Sequence, residues 1–175
     1  MTKIIFVCGG HGVGKTYFCK MIVEQYQFTH HSSSQLITSK KQIQFPSNKR
    51  VEKINENQDY LIDAINELHI DNVLLLDGHF CLLNEKGEIV KLPKQTFRTL
   101  APVGIILLKD TSEEILARLT KRDSMVAFDK KLVEALQREE IKYANEISSS
   151  LGNPLLIHNV NDPYDKVHEF IKSIY

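Results

Sequence analysis

The sequence predicts an α/β fold in which a parallel β-sheet is sandwiched between helices on both faces. Three observations carry that prediction. Apolar runs without polar alternation, such as Ile4–Cys8 and Val73–Leu76, have the pattern of strands covered on both faces. Stretches with helical periodicity alternate with these runs from end to end, as right-handed crossovers between parallel strands require. No internal repeat, low-complexity tract or linker interrupts the 175 residues, so residues 1–175 read as a single domain.

The elements follow in order. KIIFVC is β-branched and aromatic, a buried strand. GKTYFCKMIVEQY spaces Phe18, Ile22 and Tyr26 about one helical turn apart, a helix packed on the sheet. FTHH forms a short second strand, and the serines of SSSQLITSKKQIQF suit a helix N-cap. Residues 48–68 carry Val51, Ile54, Tyr60, Leu61, Ile65 and Leu68, a long amphipathic helix. DNVLLLDGHF is another apolar strand, ended by Asp77–Gly78. LLNEKGEIVKLP is a turn or hairpin with Gly87 at its tip. A third apolar strand covers Val103–Leu108, and TSEEILARLTKR opens with a capping box. After the polar break DSMVAFDKK comes a long helix stopped by Gly152. PLLIHNV is the last strand, and a final helix begins near Pro163.

Composition excludes several classes. Lys+Arg and Asp+Glu both number 22, so the net charge is zero and no global field favours nucleic acid or an anionic membrane. No apolar run is long enough to span a bilayer. The N-terminus enters a strand directly, without a signal-peptide pattern. Cys8, Cys19 and Cys81 show neither metal-ligand spacing nor a disulfide framework, and read as reduced thiols buried in a cytoplasmic protein.

Between the first strand and the first helix lies CGGHGVGKT. It fits the Walker A pattern G-x-x-x-x-G-K-[ST] through Gly9, Gly14, Lys15 and Thr16, with Gly10, His11, Gly12 and Val13 between. Glycines let successive main-chain N–H groups turn inward to make a nest for phosphate oxygens. The helix that follows adds its N-terminal partial positive charge. Lys15 would bridge the β- and γ-phosphates of ATP, and the Thr16 hydroxyl would take one place on Mg²⁺. A plain strand-to-helix turn needs fewer glycines and no lysine. Such chemistry also needs a carboxylate at the end of a neighbouring strand to orient Mg²⁺, and Asp77 stands there. His79, two residues on, either faces the phosphoryl acceptor or is a structural imidazole. Arg118 and Arg122 lie four apart on one helix face, where they either offset charge on a transferring phosphoryl group or form a solvated face with Glu113 and Glu114.

Together these segments resemble the P-loop kinases of the nucleoside monophosphate kinase type, the archaeal-type adenylate kinases and adenylate kinase-like AAA-type ATP-binding proteins above all. FVCGGHGVGKT resembles their nucleotide loop, HHSSSQL the segment bounding the acceptor site, and LLLDGHFCLLNEKGEIVKLP their Asp-x-His segment with a glycine-tipped insertion. LKDTSEEILARLTKRD resembles the entry to the lid, and PLLIHNVND the closing strand. The resemblance implies a three-layer P-loop NTPase fold with five parallel strands in the order 2-3-1-4-5, ATP on Gly9–Thr16, and lid charges from Arg118 and Arg122. It further implies an acceptor segment over about residues 30–70 that includes Ser34, a short lid over about residues 122–131, and base contact near Asn159. The lid carries no cysteine quartet, so no zinc is expected there.

Two departures bear on the acceptor. Thr38 stands where such kinases carry an arginine for the monophosphate, with Lys40 and Lys41 a turn on, and lysine is not an equivalent bidentate partner. Arg50 and Arg98 are the candidates to replace it. The expected activity is transfer of the ATP γ-phosphoryl group to a nucleoside monophosphate. One alternative is a kinase of a hydroxyl substrate with Asp77 as base; another is an ATP-binding regulatory module with little turnover. The expected partner is a small-molecule acceptor, with neither nucleic acid nor membrane involved. An oligomer is also compatible, since archaeal-type relatives are often trimers.

Overall fold

The computed structural model describes residues 2–42, 49–122 and 128–174. Strand β1 (Lys3–Cys8) buries every side chain after Lys3. Its alternation divides the core into two layers, with Ile4, Phe6 and Cys8 on one face of the sheet and Ile5 and Val7 on the other. Helix α1 (Lys15–Tyr26) packs Phe18, Cys19 and Ile22 inward. Strand β2 (Thr29–Ser32) leads into helix α2 (Ser33–Lys41). The cap residue Ser32 pairs its hydroxyl with that of Ser34 at 3.0 Å, where a main-chain N–H was expected as partner.

The helix predicted from residue 48 divides. Arg50–Val51 forms strand β3, Lys53 takes a left-handed conformation (φ 49°), and helix α3 runs from Ile54 to Glu67. Strand β4 (Val73–Asp77) is buried throughout. Strands β5 (Cys81–Asn84) and β6 (Ile89–Lys91) form the expected hairpin around Gly87 (φ 79°), and β3 joins it as a small second sheet. Helix α4 (Lys94–Leu100) was not foreseen: it is short, lies between Pro93 and Pro102, and is held by buried Thr96, Phe97 and Leu100.

Strand β7 (Gly104–Lys109) leads to helix α5 (Ser112–Arg122). Half of its capping box forms, the Glu114 N–H donating to Thr111 Oγ1 at 3.3 Å. The Thr111 N–H goes instead to Asp110 Oδ1 at 2.8 Å. Helix α6 (Lys130–Leu151) is capped by Asp129, which accepts from the Leu132 N–H at 2.8 Å, and ends at left-handed Gly152. Strand β8 (Leu155–Asn159) and helix α7 (Asp165–Ile174) complete the chain.

The main sheet has five parallel strands in the order β2-β4-β1-β7-β8. Counted along the chain that is 2-3-1-4-5, the expected order. The order reverses beside β1, and in such sheets the crevice outside the carboxyl ends of the strands at that point is where ligands bind. The three cysteines are buried and unpaired. Among the described residues no helix is long and apolar enough to cross a membrane. Of the expected lid, residues 123–127 lie outside the described residues.

Candidate functional site

The loop between β1 and α1 needs glycine for two separate reasons. Gly9, Gly12 and Gly14 have φ of 144°, 79° and 101°, which side chains resist. A Cβ on Gly9 would also sit 2.6 Å from the Leu108 carbonyl oxygen, and one on Gly12 2.7 Å from Leu119 Cγ. Neighbouring β7 and α5 thus press against the loop from outside. Gly10 meets neither constraint. Lys15 is buried, and its ammonium donates to the carbonyls of Gly9 (2.9 Å) and Gly10 (3.2 Å). Burial lowers its pKa, while Asp77 and Glu140 pull it back up. Thr16 stands exposed on the first turn of α1, facing the same cleft.

Asp77 ends β4 beside the loop. Parallel pairing sets it opposite Ser32 of β2, and its Oδ2 lies 2.6 Å from His30 Nε2. Thr16 and Asp77 supply oxygen donors on one cleft, the ligand chemistry that suits Mg²⁺. His79 is enclosed against His11, ring centroids 4.0 Å apart. Burial, and then His79 for one ring and Lys15 for the other, holds both pKa values well below the usual histidine range. His11 Nε2 and His79 Nδ1 are buried without a hydrogen-bond partner among the described residues.

Behind them is Glu140 of α6, which sequence reasoning missed. Its Oε1 accepts from the N–H groups of Phe80 (2.8 Å) and Cys81 (3.0 Å), and burial pushes its pKa up to about 7. The signal was present: Val133, Leu136, Tyr143, Ala144 and Ile147 form the apolar face of α6, and Glu140 interrupts it.

Arg118 is half-exposed but attached. It donates to the Gly12 carbonyl at 3.1 Å and forms an ion pair with Asp110. Asp110, also missed, is a buried junction. Its carboxylate accepts from Asn161 Nδ2 at 3.0 Å, and its main chain exchanges hydrogen bonds with Gln137. Arg122 lines the cleft at the end of α5.

Of these residues, Gly12, Gly14, Lys15, Thr16, Asp77, His79, Arg118 and Arg122 line one cleft of about 1010 Å³, while Gly9, Gly10, His30, Asp110 and Glu140 stand behind it. Its far half is lined by Ser34, Thr38 and Gln58 together with apolar Leu61, Phe97 and Leu100. Arg50 and Arg98, the arginines expected on the acceptor side, do not line this cleft. Arg50 lies along the β5–β6 hairpin, donating to the Glu85 carbonyl at 3.2 Å. Arg98 points outward from the face of α4 opposite buried Phe97. Asn159 does not line it either: its Oδ1 accepts from the Asn161 N–H at 3.0 Å, closing its own turn.

The family model for the AAA domain matches residues 8–137. Human adenylate kinase isoenzyme 1 is 34% identical over 132 residues, covering 69% of this chain and 64% of that protein. The same isoenzyme of Gallus gallus is 29% identical over 131 residues, with the same coverage. The chain thus matches less than two thirds of the length of these relatives. Shikimate kinase from Acinetobacter baumannii, solved in complex with shikimate, superposes with a TM-score of 0.61 at 15% identity, over 99% of this chain and 93% of that one.

Proposed function

Because the chain belongs to the AAA domain family, we propose that it is a P-loop kinase that holds ATP on Gly9–Thr16 and transfers the γ-phosphoryl group to a small acceptor. A nucleoside monophosphate is the first choice, in keeping with the adenylate kinase relatives. The observation that carries this reading is Lys15. Its buried ammonium is held by two loop carbonyls beside the glycine turn, at the mouth of the cleft, where it stands ready to exchange those carbonyls for phosphate oxygens.

The loop N–H groups and the start of α1 would orient the phosphate chain. Lys15 would follow the charge onto the β- and γ-phosphates, and Arg118 and Arg122 would offset charge on the transferring group. Mg²⁺, held by Thr16 and oriented by Asp77, would supply further charge neutralisation between the phosphates. A monophosphate acceptor is already ionised and needs no base, so positioning would supply most of the acceleration.

One observation favours a hydroxyl acceptor as second reading: among the described residues, no arginine lines the far half of the cleft. Asp77, paired with His30, would then take the hydroxyl proton. ADP production measured against a panel of acceptors separates the two. Stimulation by AMP supports the first reading, and stimulation by a hydroxyl compound alone replaces it with the second. ATP binding without turnover on any acceptor overturns both.

A further inference from the structure

Cys19, His30 and Asp77 are far apart in sequence, yet α1, β2 and β4 bring one donor atom from each within 4.8 Å of the others. They are a thiol, an imidazole nitrogen and a carboxylate oxygen. Cys19 and Asp77 are buried, and His30 is partly so. Asp77 lines the cleft, which gives the cluster a route to solvent and an open side for a fourth ligand. We propose that these residues form a binding site for a thiophilic divalent cation of the zinc class, separate in chemistry from the all-oxygen position suited to Mg²⁺.

Tetrahedral zinc takes a thiolate at about 2.3 Å and imidazole or carboxylate at about 2.0–2.2 Å, which sets its ligand atoms roughly 3.3–3.7 Å apart. The cluster needs only small movements to reach that shape. The His30–Asp77 contact opens from 2.6 Å as the ion replaces the hydrogen bond between them. Cys19 closes in from the helix side and releases its thiol proton to solvent. A hard ion such as Mg²⁺ gains nothing from sulfur, so the thiol selects against it. One consequence rests on the kinase reading: occupation takes Asp77 away from Mg²⁺ and slows transfer, and added Mg²⁺ does not relieve the block.

The test uses metal-free, nucleotide-free protein titrated with Co²⁺. A single equivalent is expected to give a near-ultraviolet thiolate-to-cobalt charge-transfer band, which Zn²⁺ abolishes and excess Mg²⁺ leaves in place. Cys19→Ser is expected to remove the band and Cys81→Ser to keep it, with His30→Ala weakening Co²⁺ binding about tenfold or more. Circular dichroism verifies that each variant is folded. A folded wild-type protein without the band, or a band that survives Cys19→Ser, overturns the site. Calorimetric titration of the same metal-free protein with Mg·ATP reports separately on the loop, so failure of one reading is distinguishable from failure of the other.

Discussion

One side of the cleft is a single local segment, with His11, Gly12, Gly14, Lys15 and Thr16 lining it, while another is assembled from α2, α3, β5 and α4. The first is specified by residues adjacent in sequence, whose backbone angles and lysine carry the chemistry themselves. The second depends on which way side chains point once distant elements have packed. A loop of that kind tolerates little change of residue type, whereas a packed wall can exchange one apolar side chain for another and alter its ligand.

The largest effect that would sharpen this contrast is expected at Lys15. Lys15→Ala should lower ATP-dependent transfer on the order of 10³-fold, read as kcat in single turnover, with an unchanged far-ultraviolet spectrum. Retention of most activity would remove the loop from the chemistry. On the other wall, Phe97→Ala should cost about 3 kcal/mol in urea unfolding, since its ring is buried against Phe6, Phe80 and Tyr143. It should also raise KM for the acceptor but not for ATP.

Glu140 lies behind the cleft, bonded to Phe80 and Cys81, and its effect depends on pH. Its pKa rises from 4.5 to about 7 on folding. Below that window both states hold the proton. As the pH climbs through it, the unfolded chain releases the proton first, and the fold loses roughly 3 kcal/mol relative to acid. Glu140→Gln keeps an acceptor for Phe80 and Cys81 and should flatten that slope. Urea unfolding of both proteins at about pH 5 and about pH 8 checks this, and equal slopes would refute it.

Smaller effects separate positions within each wall. Gly12→Ala should cost about 2 kcal/mol, from a left-handed φ and contact with Leu119, while Gly10→Ala should be nearly neutral. Arg98→Ala should change stability by less than about 0.5 kcal/mol and leave the acceptor KM alone. A tenfold rise in KM would return Arg98 to the acceptor side.

The same contrast explains what the sequence made legible. The strand order and the loop could be read because apolar runs, glycine spacing and one lysine are local signals. Arg50 and Arg98 lie off the cleft, which the sequence could not show because charge alone does not reveal direction. On α4, the outward position of Arg98 follows from the burial of Thr96, Phe97 and Leu100, which no local pattern announced. Strand β3 has two residues, too few for a periodic signal, and Val51 reads equally well as part of a helix. Asp110 was overlooked although it follows β7 much as Asp77 ends β4. The Cys19–His30–Asp77 cluster has no spacing to recognise, because the pairing of β2 with β4 and the packing of α1 create it.

The resting loop is already satisfied. Lys15 occupies two carbonyls, and Arg118 is shared between Gly12 and Asp110. An arriving anion therefore meets competitors in place of a bare cationic socket, and must win each cation from the oxygen it holds. On the kinase reading, the affinity would be the difference between two occupied states, and it would discriminate by valence. An anion of low charge would not repay both exchanges, while a polyphosphate would, so such a site would filter ligands before any of them touched the far wall.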